Sequence, residues 1–114
     1  MYIKKVEDVK AELVAQEGVK GTYIQVLIDK ERGGAVNFAM RRFIIKPGGE
    51  IGLHNHNWEH EIFVLKGKGI VKNGETTHEV EENTVIYIPP NEPHYYKNTG
   101  RTDLVFLCLI PIKN

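Results

Sequence analysis

A chain of 114 residues with 41% apolar side chains has material for one core and too little for two. At 26% charged residues its composition is that of a folded globular domain, which excludes a disordered chain. Fifteen Lys and Arg balance fifteen Asp and Glu, so no net field draws in nucleic acid or an anionic membrane, and neither is expected as a partner.

Twelve Glu and eleven Lys dominate the charges, a bias seen in thermophilic proteins. Cys108 is the one cysteine, which excludes an intrachain disulfide and favours a reducing compartment. Met1–Lys5 is charged and offers no apolar signal core, and nowhere do eighteen apolar residues follow one another. The expected location is therefore the cytoplasm, with 1–114 as a single domain.

In chain order, Val6, Val9, Leu13 and Val14 fall at three- and four-residue spacings and predict a short helix over Val6–Gln16. Thr22–Asp29 mixes β-branched and aromatic residues and runs into a Glu31-Arg32-Gly33-Gly34 turn, as a strand does. A second extended run covers Ala35–Lys46, and Pro47-Gly48-Gly49 is expected to stop it. Further strands are predicted at His60–Lys66, Gly69–Lys72, Thr76–Val80, Thr84–Ile88, Pro93–Asn98 and Leu104–Ile110. Asn73-Gly74 signals a hairpin with a type I′ turn, which needs positive φ at both central residues. So many short strands predict an all-β sandwich or barrel.

Two of these runs are apolar on both faces. Phe38, Met40 and Ile44 share one face of their strand, and Ala39, Phe43 and Ile45 the other. Leu104–Ile110 behaves likewise, with Cys108 inside it. A strand of this kind is covered twice. The expected covers are the barrel interior and a second subunit in a two-fold homodimer, the alternative being the chain's own N-terminal segment.

Four of the five histidines fall in two spaced patterns. The first reads Gly48, five residues, His54, one, His56, three, His60, six, Gly67. The second reads Asn83, five residues, Pro89, one, Asn91, two, His94, three, Asn98. Residues two apart on a strand share a face, so His54 and His56 can reach one ion. Asn57-Trp58-Glu59 makes the bend, and His60 opens the next strand on the same face as Ile62 and Val64. His94 begins a strand introduced by Pro89-Pro90 and Pro93. Neutral imidazoles suit zinc, copper, iron and nickel, so a divalent metal centre on His54, His56, His60 and His94 is expected. Glu61 is the rival to His60 as fourth ligand, while His78 lies outside both patterns.

At these residues the chain resembles the cupins, whose two motifs match the patterns at nearly every spacing. The resemblance implies a small cupin-type jelly-roll β-barrel (a double-stranded β-helix), with His54, His56 and His94 as metal ligands near its middle. Many cupins carry Glu where this chain has His60. Asn83 and Asn91 replace glycines of the second motif, a mild change because Asn tolerates positive φ. The run from His54 to Glu61 and the Phe106–Pro111 ending resemble small thermophilic cupins that bind manganese through four histidines. On that footing the cofactor is expected to be Mn²⁺ or Fe²⁺, with Zn²⁺, Ni²⁺ or Cu²⁺ also compatible.

Four neutral ligands leave the full charge on the ion and, in an octahedral sphere, two adjacent positions open. The expected function is a metal-dependent oxidoreductase of the dioxygenase type, acting on a small enolisable or unsaturated molecule in an apolar barrel. The alternatives are an isomerase or decarboxylase, a binding or sensing module without turnover, and a barrel stabilised by its metal. Cys108 and Tyr96 are expected beside the metal, Trp58 at the bend, and Glu59 as an acid–base candidate. If the strand is regular, one of Arg41 and Arg42 is expected to face inward, where it wants an anion or carboxylate partner, the alternative being an outward salt bridge.

Overall fold

The computed structural model describes residues 1–113. The strands are β1 (Glu12–Leu13), β2 (Val19–Ile28), β3 (Phe38–His54), β4 (His60–Lys66), β5 (Lys68–Lys72), β6 (Thr77–Glu81), β7 (Val85–Ile88), β8 (His94–Asn98) and β9 (Leu104–Pro111). They form one antiparallel sheet in the order β6-β5-β8-β3-β9-β4-β7, with β2 along β3 and β1 along β2. The 17-residue β3 makes this topology work. Its first half pairs with β9 from Phe38↔Pro111 to Ile45↔Leu104, and its second half pairs with β8 from Glu50↔Lys97 to His54↔His94. One strand thus belongs to both walls, and the sheet curls around a common interior as expected of an all-β barrel.

Pro47-Gly48-Gly49 therefore does not stop the strand; it turns the corner between the walls. The register of β2 on β3 slips there, between Lys20 and Thr22. Gly48 adopts φ +79°, and a side chain at Gly49 would meet the Lys20 and Gly21 carbonyl oxygens at 2.8 and 2.9 Å. Glycine is required for that close approach of two backbones.

The expected Val6–Gln16 helix is absent. Val6–Asp8 forms a single 3₁₀ turn without a side-chain cap, and β1 follows. Val6 and Leu13 remain 38% and 59% exposed while Val9 and Val14 are half-buried, so the spacing that suggested a helix builds no continuous apolar face. The segment is held instead by Gln25, 6% exposed, whose Nε2 donates to the carbonyls of Val6 (3.1 Å) and Val9 (2.8 Å). This covers part of the outer face of β2.

Asn73-Gly74 does join two strands, β5 and β6, through a longer loop than the type I′ turn expected. Only Gly74 has positive φ, and Asn73 Oδ1 accepts hydrogen bonds from Glu75 N, Thr76 N and Thr76 Oγ1. Asn83 and Asn91 do adopt positive φ, at 68° and 69°.

Alternation along the strands builds the core. Ile62 and Val64 of β4, and Leu104, Phe106 and Cys108 of β9, point inward and are at most 3% exposed. The polar Asn98 is buried with them and fully partnered. Its Nδ2 donates to the Ile45 and Thr102 carbonyls at 2.7 and 2.8 Å, and its Oδ1 accepts from Gly100 N. No helix among the described residues is long and apolar enough to cross a membrane.

Candidate metal centre

The histidines converge because three elements end or begin at the same place. His54 closes β3, His60 opens β4 and His94 opens β8, where it lies opposite His54 in the ladder. His56 falls beyond the end of β3 rather than on it, so its aim is set by the loop. Asn91, turned by its positive φ, donates its backbone N–H to the His56 carbonyl at 2.6 Å and ties that loop to the approach of β8. Trp58 stacks on the His56 ring at 4.3 Å with 11° between the planes, and Lys113 Nζ sits 3.3 Å above the Trp58 ring centre.

A nitrogen from each of His54, His56 and His94 lies within 4.8 Å of the others. Nitrogens on opposite sides of one ion are separated by roughly 4 Å at metal–nitrogen distances of about 2 Å, so a small side-chain adjustment brings the three onto one cation. The His60 ring stands beside this group, its centre 4.9 Å from that of His94 and 5.3 Å from that of His56. It is 4% exposed, on the inner face of β4, whereas Glu61 points outward and is exposed.

The protonation pattern suits a cation. His54 Nδ1 and His94 Nδ1 lie 2.7 and 2.9 Å from the carbonyls of Gly52 and Glu92, so each Nδ1–H donates there and leaves the Nε2 lone pair free. The Nε2 atoms of His60 and His94 are buried without a hydrogen-bond partner. Such atoms are rare and costly in a folded protein unless an ion or an ordered water takes their lone pairs. Burial, then the neighbouring His54 and His94, depress the His56 pKa to about 4. Burial, then His94 and Arg41, take His60 down to about 3. Burial also lowers His94, against the opposing pull of the Glu92 carbonyl. His56, His60 and His94 are therefore held toward the neutral form, the one that binds metal.

The rings face a cavity of about 540 Å³. Tyr96 and Cys108 line it as expected. Tyr96 is 5% exposed, its ring centre 5.7 Å from that of His94, and burial pushes its hydroxyl well above the usual range. Cys108 is 2% exposed, its Sγ is 3.5 Å from His60 Nδ1, and burial raises its thiol pKa. With the proton on His60 Nδ1 directed at that sulfur, Nε2 is left to face the cluster.

Glu59 is not in this cavity. It is exposed on the opposite side of the strand start, beside Tyr87, whose phenol is raised by burial and then by Glu59, so the acid–base role expected of it has no geometric support. Sequence reading left Arg41 and Arg42 undecided. Arg41 turns inward onto Cys108, and Arg42 turns outward to Gln25 Oε1 at 2.7 Å. Val14 and residues 16–19 at the cavity edge were missed, since a segment read as the end of a helix and the turn after it gave no sign of lining a barrel. His78 is exposed beside Thr76 Oγ1, away from the cluster.

Residues 41–110 match the family model described as the cupin domain. The chain belongs to the cupin family. Among solved structures, this cupin is similar to the polyketide cyclase RemF from Streptomyces resistomycificus, with 36% identity and a TM-score of 0.92 over 99% of this chain and 80% of that one. It is also similar to a predicted oxalate decarboxylase from Thermotoga maritima, at 28% identity and a TM-score of 0.84, covering 97% and 99% of the two chains. In sequence it is 36% identical to an oxalate-binding protein of Thermotoga maritima over 70 residues, which span 60% of this cupin and 58% of that protein.

Proposed function

We propose that this cupin is a divalent-metal enzyme acting on a small enolisable organic substrate, with His54, His56, His60 and His94 as its ligands. The observation that carries the reading is the pair of buried, unpartnered Nε2 atoms of His60 and His94, facing His54 and His56 at one end of a cavity. When bound, Mn²⁺ or Fe²⁺ supplies an uncompensated positive charge that polarises a carbonyl and favours its enolate. The protein's own residues do the rest. Phe43, Ile51 and Phe106 exclude water, Tyr96 places a phenolic O–H on the histidine side of the cavity, and Trp58 fixes the His56 ring. Dioxygenase or other oxidoreductase chemistry is the redox version of the same site. Similarity to a polyketide cyclase supports turnover at carbonyl carbon, and similarity to an oxalate-binding protein supports the second reading, a binding module without turnover.

Incubating metal-loaded protein with 2-oxo acids and 1,3-diketones separates these readings. The enzyme reading expects chelator-sensitive deuterium exchange at the carbon next to the carbonyl, by NMR, or uptake of dioxygen at an electrode. Ligand binding with neither activity leaves the binding module. We also propose a homodimer through the outer face of β3, β9, β4 and β7, where Phe38, Phe63, Val85 and Tyr87 are 40–72% exposed. Sedimentation equilibrium should return twice the chain mass, and a monomer at micromolar concentration contradicts it.

A further inference from the structure

Arg41 is a charged group of the cavity that metal binding does not use. It lies on the inner face of β3, opposite Cys108 of β9. Its Nη2 donates to Cys108 Sγ at 3.1 Å, and its guanidinium lies 5.0 Å from the centre of the Phe43 ring. Its Nε is buried and has no partner. Arg41 as a whole is half-buried; guanidinium stays charged in proteins, and a charge partly withdrawn from water without a counter-ion is costly. The side-chain ion pairs among the described residues, Arg32–Asp29 and Lys46–Asp103, involve neither Arg41 nor the cavity. Glu17 is the one acid among the described lining residues, and it is exposed. The polar side chains lining the cavity beside Arg41 are imidazoles, a phenol and a thiol, and a divalent ion on those imidazoles adds positive charge without adding a carboxylate. The cavity thus offers Arg41 no ion-pair partner among the described residues.

We infer that the ligand of this cavity is a small organic carboxylate, its anionic group held by the Arg41 guanidinium and its carbon frame resting on Phe43 and Phe106. Those two rings stack at 5.3 Å and form an apolar wall next to the guanidinium. Arginine matches a carboxylate in a planar, two-point fashion that lysine cannot reproduce. This deepens the reading of the cavity as a metal-dependent substrate site and rests on it for the second contact, but the arginine contact stands without the ion.

The probes are benzoylformate and its neutral amide, titrated calorimetrically into both metal-loaded and metal-free protein. Wild type should prefer the carboxylate by about tenfold or more in both forms, the scale of a charge-assisted hydrogen bond. Arg41→Gln should abolish that preference with its metal content by elemental analysis unchanged, and Arg41→Lys should keep only part of it. In case Arg41→Gln does not fold, ¹⁵N NMR of wild type reads the contact directly, as a shift of the Arg41 Nε–H on adding benzoylformate and none on adding the amide. Equal binding of acid and amide, an undiminished preference in Arg41→Gln, or an unmoved Arg41 signal overturns the inference. Protein that holds no stoichiometric metal yet keeps an Arg41-dependent preference contradicts the metal reading and supports the carboxylate site.

Discussion

His56 and His60 titrate far below an ordinary histidine, and this fixes the acid response of the metal-free protein. Their pKa values of about 4 and about 3 lie under the unfolded value of about 6.5. Between those limits the unfolded chain binds more protons than the folded one, so stability rises with pH. The contribution is complete above about pH 6.5 and is lost as pH falls through the folded values. The midpoint of chemical unfolding of metal-free protein should therefore drop steadily from pH 6.5 to 4, beginning before most carboxylates titrate. A midpoint that is flat from pH 6.5 to 5 contradicts the buried, neutral imidazoles. At this scale much of the site was legible, because period-two alternation put His60, His94, Tyr96 and Cys108 on inner faces. Alternation could not rank Arg41 against Arg42, since adjacent residues always face opposite ways and both walls of β3 are apolar. Glu59, named as an acid–base candidate, is adjacent to His60 in sequence and is exposed outside the cavity.

The elements were legible wherever hydrophobic alternation is confined to one strand, as in β4, whose limits agree with the sequence reading. They were not legible where tertiary contacts override local signals. Pro47-Gly48-Gly49 carries every local mark of a terminator, yet β3 continues because β2 and β8 supply partners beyond the corner. The Val6–Leu13 spacing carries the mark of a helix, but the Gln25 amide offers its carbonyls a better partner than a helical turn exposed to water. The corner yields a test. A methyl group at Gly49 would press on two carbonyl oxygens and on Ile45 Cγ2 at 2.9 Å, inside a wall that cannot move without breaking the β2–β3 register. Gly49→Ala should cost about 1–3 kcal/mol in denaturant unfolding, the scale of an overpacked core. A loss within about 0.5 kcal/mol, typical of a surface change, contradicts the corner as described.

At the scale of the whole molecule, one continuous curled sheet brings distant segments to a single point: forty residues separate His54 from His94 in sequence, and the ladder sets them opposite each other. Nothing local in the chain announces that meeting; only the paired motif spacings do. A cation at that point would bind the folded barrel and not the unfolded chain, so occupancy should stabilise the fold by mass action, by about 2.7 kcal/mol at a hundredfold excess over the dissociation constant. Chelation should accordingly lower the melting temperature of wild type and leave that of His94→Ala unchanged. The most direct measurement is elemental analysis of protein purified without a histidine tag, wild type beside His60→Ala and His94→Ala. The four-imidazole account predicts one divalent transition-metal ion per wild-type chain and a clear loss in both variants. Wild type that takes up no stoichiometric metal even after reconstitution, or variants as full as wild type, would contradict it.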